Sequence, residues 1–141
     1  AKMSVKWLKN LGVRDDQIIL YGESLGTGVA VELGKDNYFN SIILESPFTS
    51  ISKAAKIYYP YLPINLLLKD RYDSIDKINN IKKPVLIMHG MKDDIIPFEM
   101  GVELFKKANQ PKYSYFTKDD DHMMNFNEKL IDTLRVFIDK N

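Results

Sequence analysis

Ser24 stands in Gly22-Glu23-Ser24-Leu25-Gly26, preceded by the apolar run Ile18-Ile19-Leu20-Tyr21 and followed by Val29-Ala30-Val31-Glu32-Leu33. A strand turning at once into a helix lifts the Ser24 hydroxyl clear of the backbone, which is the layout of a nucleophile elbow. Gly22 and Gly26 are read as positions where a Cβ would collide across so tight a turn. The helix that follows aims its first N–H groups, Leu25's among them, and its positive dipole end at the place where an oxyanion would form. The glycines do not fit Gly-x-Gly-x-x-Gly, so a dinucleotide site is the poorer reading.

A serine hydroxyl needs a base to take its proton, and the chain has two histidines. His89 closes an apolar run before Gly90 and is read as structural. His122 follows Lys118-Asp119-Asp120-Asp121 in a loop after the last strand run, where loops carry chemistry. On its own it reads as a solvated loop histidine; the position of Ser24 reverses that preference. A histidine base needs an acid to fix its tautomer and to stabilise the imidazolium. Asp93, in His89-Gly90-Met91-Lys92-Asp93-Asp94-Ile95-Ile96-Pro97, is the candidate, with Asp94 its neighbour and Glu45 a weaker alternative. Asp119, Asp120 and Asp121 read as a solvated acidic loop.

The elements that must position these groups follow from hydrophobic period. Met3, Trp7, Leu8 and Leu11 share a helical face ended by Gly12. Strands are expected at Ile18–Tyr21, Ser41–Glu45, Pro84–Gly90 and Tyr113–Thr117. Helices are expected over Leu25–Leu33 and Ser50–Tyr59, from Pro97 to Ala108 with Pro97 at the first helical position, and after Asn127 as cap. The last helix would bury Leu130, Ile131, Leu134, Phe137 and Ile138. Short apolar strands alternating with amphipathic helices imply a parallel sheet covered on both faces. Ser24, Asp93 and His122 then all follow carboxyl ends of strands, where such sheets bind ligands.

Composition sets bounds. The 141 residues, 45% hydrophobic and 28% charged, suit one domain spanning 1–141 with a real core. A net charge of +1 gives no field to steer nucleic acid. Zero cysteines exclude disulfides, thiol catalysis and thiolate metal sites, and two histidines make a histidine-rich metal centre implausible. Neither a metal nor an organic cofactor is expected. No apolar run has membrane-spanning length and no signal peptide is visible, so a cytoplasmic location is the default expectation.

Tyr21-Gly22-Glu23-Ser24-Leu25-Gly26-Thr27-Gly28-Val29-Ala30 resembles the elbow of α/β-hydrolases of the bud-emergence type, a branch related to the prolyl-oligopeptidase-like serine hydrolases. Glu45-Ser46-Pro47-Phe48-Thr49-Ser50 is similar to the next strand end of that family, and Arg71-Tyr72-Asp73-Ser74 to the stretch before its acid-bearing strand. The segment from His89 to Pro97 matches the family pattern His-Gly-x-x-Asp-x-x-x-Pro, which carries the catalytic acid at Asp93. The order Ser24, Asp93, His122 is the α/β-hydrolase order. The surroundings of His122 depart from the family, with Asp121 where a glycine is usual and Met123-Met124 following.

The resemblance implies a truncated three-layer α/β/α hydrolase fold with about four strands remaining. It also implies that the strands before the elbow, and the His-Gly-rich loop giving one oxyanion N–H, are missing. Loss of one such donor costs about 2.7–4 kcal/mol of transition-state stabilisation. It leaves the strand Ile18–Tyr21 as an unprotected edge, which would pair with a second copy about a two-fold axis or with a separate chain supplying the other half. Residues 50–70, with Tyr58 to Leu68 unusually apolar, would form a cap or wall an acyl pocket, with core packing and a bare surface favouring association as the alternatives. Two functions follow: a serine hydrolase cleaving an ester, thioester or amide of a small acyl substrate, and a non-catalytic module that self-associates.

Overall fold

The computed structural model describes residues 1–36, 39–64, 68 and 72–141. Among them four strands form one all-parallel sheet: β1 (Ile19–Glu23), β2 (Ser41–Glu45), β3 (Val85–Gly90) and β4 (Lys112–Thr117), neighbours in that order. The α-helices among the described residues are α1 (Lys2–Asn10), α2 (Leu25–Gly34), α3 (Ile51–Tyr58), α4 (Phe98–Lys107) and α5 (Glu128–Lys140). Pro97 stands just before α4 rather than as its first residue. Of the apolar stretch ending at Leu68, Leu66 and Leu67 lie outside the described residues, as does Arg71.

Every residue of β2 and β3 is buried, which is why both strands are nearly continuous apolar runs. Successive side chains go to opposite faces. Ile42, Leu44, Val85 and Ile87 pack with Ala30 and Val31 of α2 and Leu104 of α4. Ile43, Leu86 and Met88 pack on the other face with Leu130 and Phe137 of α5. These are the three layers, helices over both faces of a parallel sheet. The pairs Gly22–Leu44 and Leu44–Ile87 fix the register, bringing the carboxyl ends of β1 and β2 level, with β3 running two residues further to Gly90.

Two helices keep less apolar surface covered than their periodicity predicts. Leu130 and Phe137 anchor α5, each contributing about 1.5–3 kcal/mol through burial, and Asn127 Oδ1 caps it by accepting the Leu130 N–H at 3.0 Å. Ile131 and Ile138 remain exposed, as the outer rim of that face. On α1, Val5 and Leu8 pack against Ile18, Leu33 and Phe39, whereas Met3, Trp7 and Leu11 are exposed. No helix among the described residues is long and apolar enough to cross a membrane.

Candidate active site

β1 ends at Glu23, and Ser24 turns the chain into α2 with φ 49° and ψ −116°. For a residue with a Cβ that conformation costs about 1–3 kcal/mol and persists only where surrounding contacts impose it. They do so here: Ser24 N–H donates to Glu45 O at 2.9 Å, and Ser24 O accepts both the Thr27 N–H at 3.0 Å and the Thr27 hydroxyl at 2.6 Å. At Gly22 a Cβ would lie 2.5 Å from Gly26 O and 2.9 Å from Thr27 Cα, so the turn closes only on a glycine. Gly26 departs from expectation, since a Cβ there would meet nothing within 4 Å. As the first residue of α2, Leu25 has an N–H with no intrahelical acceptor, beside the serine.

The structure brings Ser24, His122 and Asp93 together from three strand ends. His122 Nε2 is 3.0 Å from Ser24 Oγ, and His122 Nδ1 is 2.9 Å from Asp93 Oδ2 and 3.1 Å from Oδ1. An ionised carboxylate only accepts, so the ring hydrogen is assigned to Nδ1 and the bare Nε2 faces the serine hydroxyl. The His122 loop is held from two sides. Ser46 Oγ donates to His122 O at 3.0 Å, and Lys92 N–H donates to Asp120 O at 3.0 Å.

Asp93 has a fully buried side chain, and burial by itself raises a carboxyl. The Ile96 N–H, His122 and the Ile95 N–H outweigh that and hold it below the ordinary aspartate value. Its Oδ1 accepts the two N–H groups at 2.8 and 2.9 Å. The other acids sit elsewhere. Asp94 is exposed, and its carbonyl accepts the Tyr58 hydroxyl. Asp119 pairs with Lys92, Asp120 accepts the Thr117 hydroxyl, and Asp121 caps the Met123 N–H.

Glu45 is only 2% exposed and accepts the Tyr21 hydroxyl and the Met124 N–H, so it braces the histidine loop instead of orienting the ring. Burial, foremost, raises its carboxyl above the ordinary glutamate value. A raised folded value means the fold favours the protonated form. Stability from that preference is complete below the ordinary value and is lost as pH rises through the raised one. Glu45→Gln, which mimics the protonated acid, should therefore raise the unfolding midpoint by a few degrees at pH 8 and leave it near wild type at pH 4. Thermal unfolding at the two pH values measures the difference.

Beside Ser24 lies a cleft of about 210 Å³ lined by Leu25, Phe48, Ile51, Ala54, Tyr58 and Ile96. Among the described residues its wall is mainly the inner side of α3, with Tyr58 the single contribution from the apolar stretch ending at Leu68. Ile51 and Ala54 lie within the 50–70 segment of the sequence reading, which did not name them singly; their i, i+3 spacing on α3 was the available signal.

A model of the prolyl oligopeptidase family matches residues 3–137. The chain is 39% identical over 113 residues to an uncharacterised protein of Mycobacterium tuberculosis, covering 79% of this chain and 40% of that protein. It is 34% identical over 114 residues to human alpha/beta hydrolase domain-containing protein 17B, covering 79% of this chain and 38% of the relative. It thus spans about two fifths of the length of these relatives. The structure of acetyl xylan esterase from Paenibacillus sp. R4 superposes with a TM-score of 0.76 at 17% identity, over 96% of this chain and 50% of that one.

Proposed function

Because this chain belongs to the prolyl oligopeptidase family of α/β-hydrolases, we propose that it transfers an acyl group from an ester, thioester or amide to water, with Ser24 as nucleophile. The observation that carries the reading is the unbroken run of contacts from Ser24 Oγ through both His122 nitrogens to the Asp93 carboxylate. His122 Nε2 takes the hydroxyl proton as Oγ attacks the carbonyl carbon. The carbonyl oxygen, now negative, accepts the Leu25 N–H at the positive end of α2. Asp93 stabilises the imidazolium, which returns its proton to the leaving group. Water then attacks the acyl-serine with His122 again as base, the acyl–Oγ bond breaks, and the imidazolium returns its proton to Ser24 Oγ.

The apolar cleft receives the acyl substituent. Its volume of about 210 Å³ is below the roughly 300–1,000 Å³ of sites for drug-sized ligands, which favours short acyl groups. A fluorophosphonate probe, followed by peptide mass spectrometry, tests the nucleophile. One adduct on Ser24 is expected; an adduct on another serine, or none at saturating probe, overturns the assignment.

A second reading, self-association, has its own support. The bonds from Ser24 N–H to Glu45 O and from Asn40 N–H to Ile18 O fix the phase of β1. The N–H and C=O groups of Ile19, Tyr21 and Glu23 therefore point away from β2, along an edge with no partner strand among the described residues. Beside that edge runs a groove lined by Val5, Leu8, Leu20 and Val29. We assign this edge to a second copy, paired antiparallel about a two-fold axis. Sedimentation over a range of concentrations should show a monomer–dimer equilibrium; a single monomer-sized species throughout counts against it.

A further inference from the structure

We propose that His89 is a positioning residue for this site: its Nε2–H holds Asp93 Oδ2 in the orientation from which the carboxylate receives the His122 Nδ1–H. The inference rests on the hydrolase reading and assigns a function to a histidine that is not exposed at all.

His89 Nε2 lies 3.0 Å from Asp93 Oδ2 and 3.0 Å from Ile96 O. Both neighbours are acceptors, so the hydrogen is on Nε2, shared between them. The other nitrogen is bare: Nδ1 is buried with no hydrogen-bond partner. Gly101 of α4 lies against it so closely that a Cβ would be 2.4 Å from Nδ1. Phe98 closes another side, edge-on with centroids 5.7 Å apart. A second proton on Nδ1 would have no acceptor in this wall, and burial keeps the imidazole below its ordinary value. The ring is thus a neutral, immobilised donor with one usable N–H.

That N–H completes the set around Asp93. Oδ1 is taken by the Ile95 and Ile96 N–H groups, with His122 Nδ1 also 3.1 Å away, and Oδ2 by the two histidines. Without His89 the only remaining donor to Oδ2 is His122 itself, and the two backbone N–H groups hold only Oδ1. Rotation about its χ2 then carries Oδ2 off the line to His122. The task is geometric, so it bears on the chemical step and leaves substrate binding alone.

The test is p-nitrophenyl acetate hydrolysis by wild type, His89→Met, His89→Gln, Gly101→Ala and Ser24→Ala, with thermal unfolding of each. Methionine fills the volume and has no donor. It should lower kcat by about 10–100-fold, the range for a hydrogen bond to a charged group, with KM unchanged and an unfolding midpoint at or above that of wild type. Glutamine, whose amide nitrogen can stand near the Nε2 position, should recover most of that loss. Gly101→Ala keeps His89 but pushes on Nδ1. It should lower kcat likewise, although alanine is the better helix former, and it decides the matter if the methionine variant fails to fold. Wild-type kcat in His89→Met, or equal loss in the methionine and glutamine variants, overturns the proposal while Ser24→Ala remains inactive. Activity surviving in Ser24→Ala overturns the hydrolase reading instead.

Discussion

Ser24→Ala should reduce hydrolysis of activated esters by about 10⁴-fold or more, and His122→Ala should do nearly the same, with the double variant no worse than either. The three groups act as one unit: without the hydroxyl there is nothing to deprotonate, and without the imidazole nothing takes the proton. Asp93→Asn is the more discriminating change. Its carbonyl oxygen has little reason to face His122, because the Ile95 and Ile96 N–H groups already seek an acceptor at 2.9 and 2.8 Å. An amide NH₂ turned toward His122 Nδ1 inverts the ring tautomer. The hydrogen then sits on Nε2 and points at Ser24, which loses its acceptor. A loss of about 10⁴-fold in kcat is expected, with a folded protein by circular dichroism. An Asp93→Asn variant that turns over like wild type would remove Asp93 from the site.

Gly22→Ala should cost stability at the upper end of about 1–3 kcal/mol, the range for overpacking, and abolish labelling of Ser24 in whatever fraction folds. All three atoms nearest the added methyl are backbone atoms of Gly26 and Thr27, the closest at 2.5 Å, so no rotamer change relieves the clash. The turn itself must open, and with it the direction of the Ser24 hydroxyl. Gly26→Ala is the control. Its methyl meets nothing within 4 Å, and it should fold and label like the parent chain. Denaturant unfolding together with labelling rate separates the two. Equal behaviour would mean that the elbow is not closed by the contact between Gly22 and Gly26.

Why one glycine matters and its partner does not was invisible in the motif, because spacing records the residue and not its surroundings. The same limit explains the helices. Period identified the apolar stripe of α1, yet nothing in Met3, Trp7 and Leu11 says whether another surface covers them. Strands were legible to within a residue or two, since β2 and β3 are apolar on both faces and bounded by prolines and glycine. The candidate site was legible in its members, as Ser24, Asp93 and His122 each follow a strand. His89 was read as structural, and it is fully buried; what the motif left unread is its contact with Asp93. The clue was its i, i+4 spacing to Asp93 across a turn tight enough to fold the acid back onto it. The cleft was least legible, since Phe48, Ile51 and Ile96 come from separate segments.

The contact between His122 and Ser24 joins residues 98 positions apart, and that between His122 and Asp93 joins residues 29 apart. Both bridge the carboxyl edges of strands that must already be paired, so the constellation is among the last things the chain assembles. Capture of a fluorophosphonate is therefore also a clock for folding. Reactivity regained after dilution from denaturant should trail the return of helical circular dichroism, and should report how many molecules have reached the finished state.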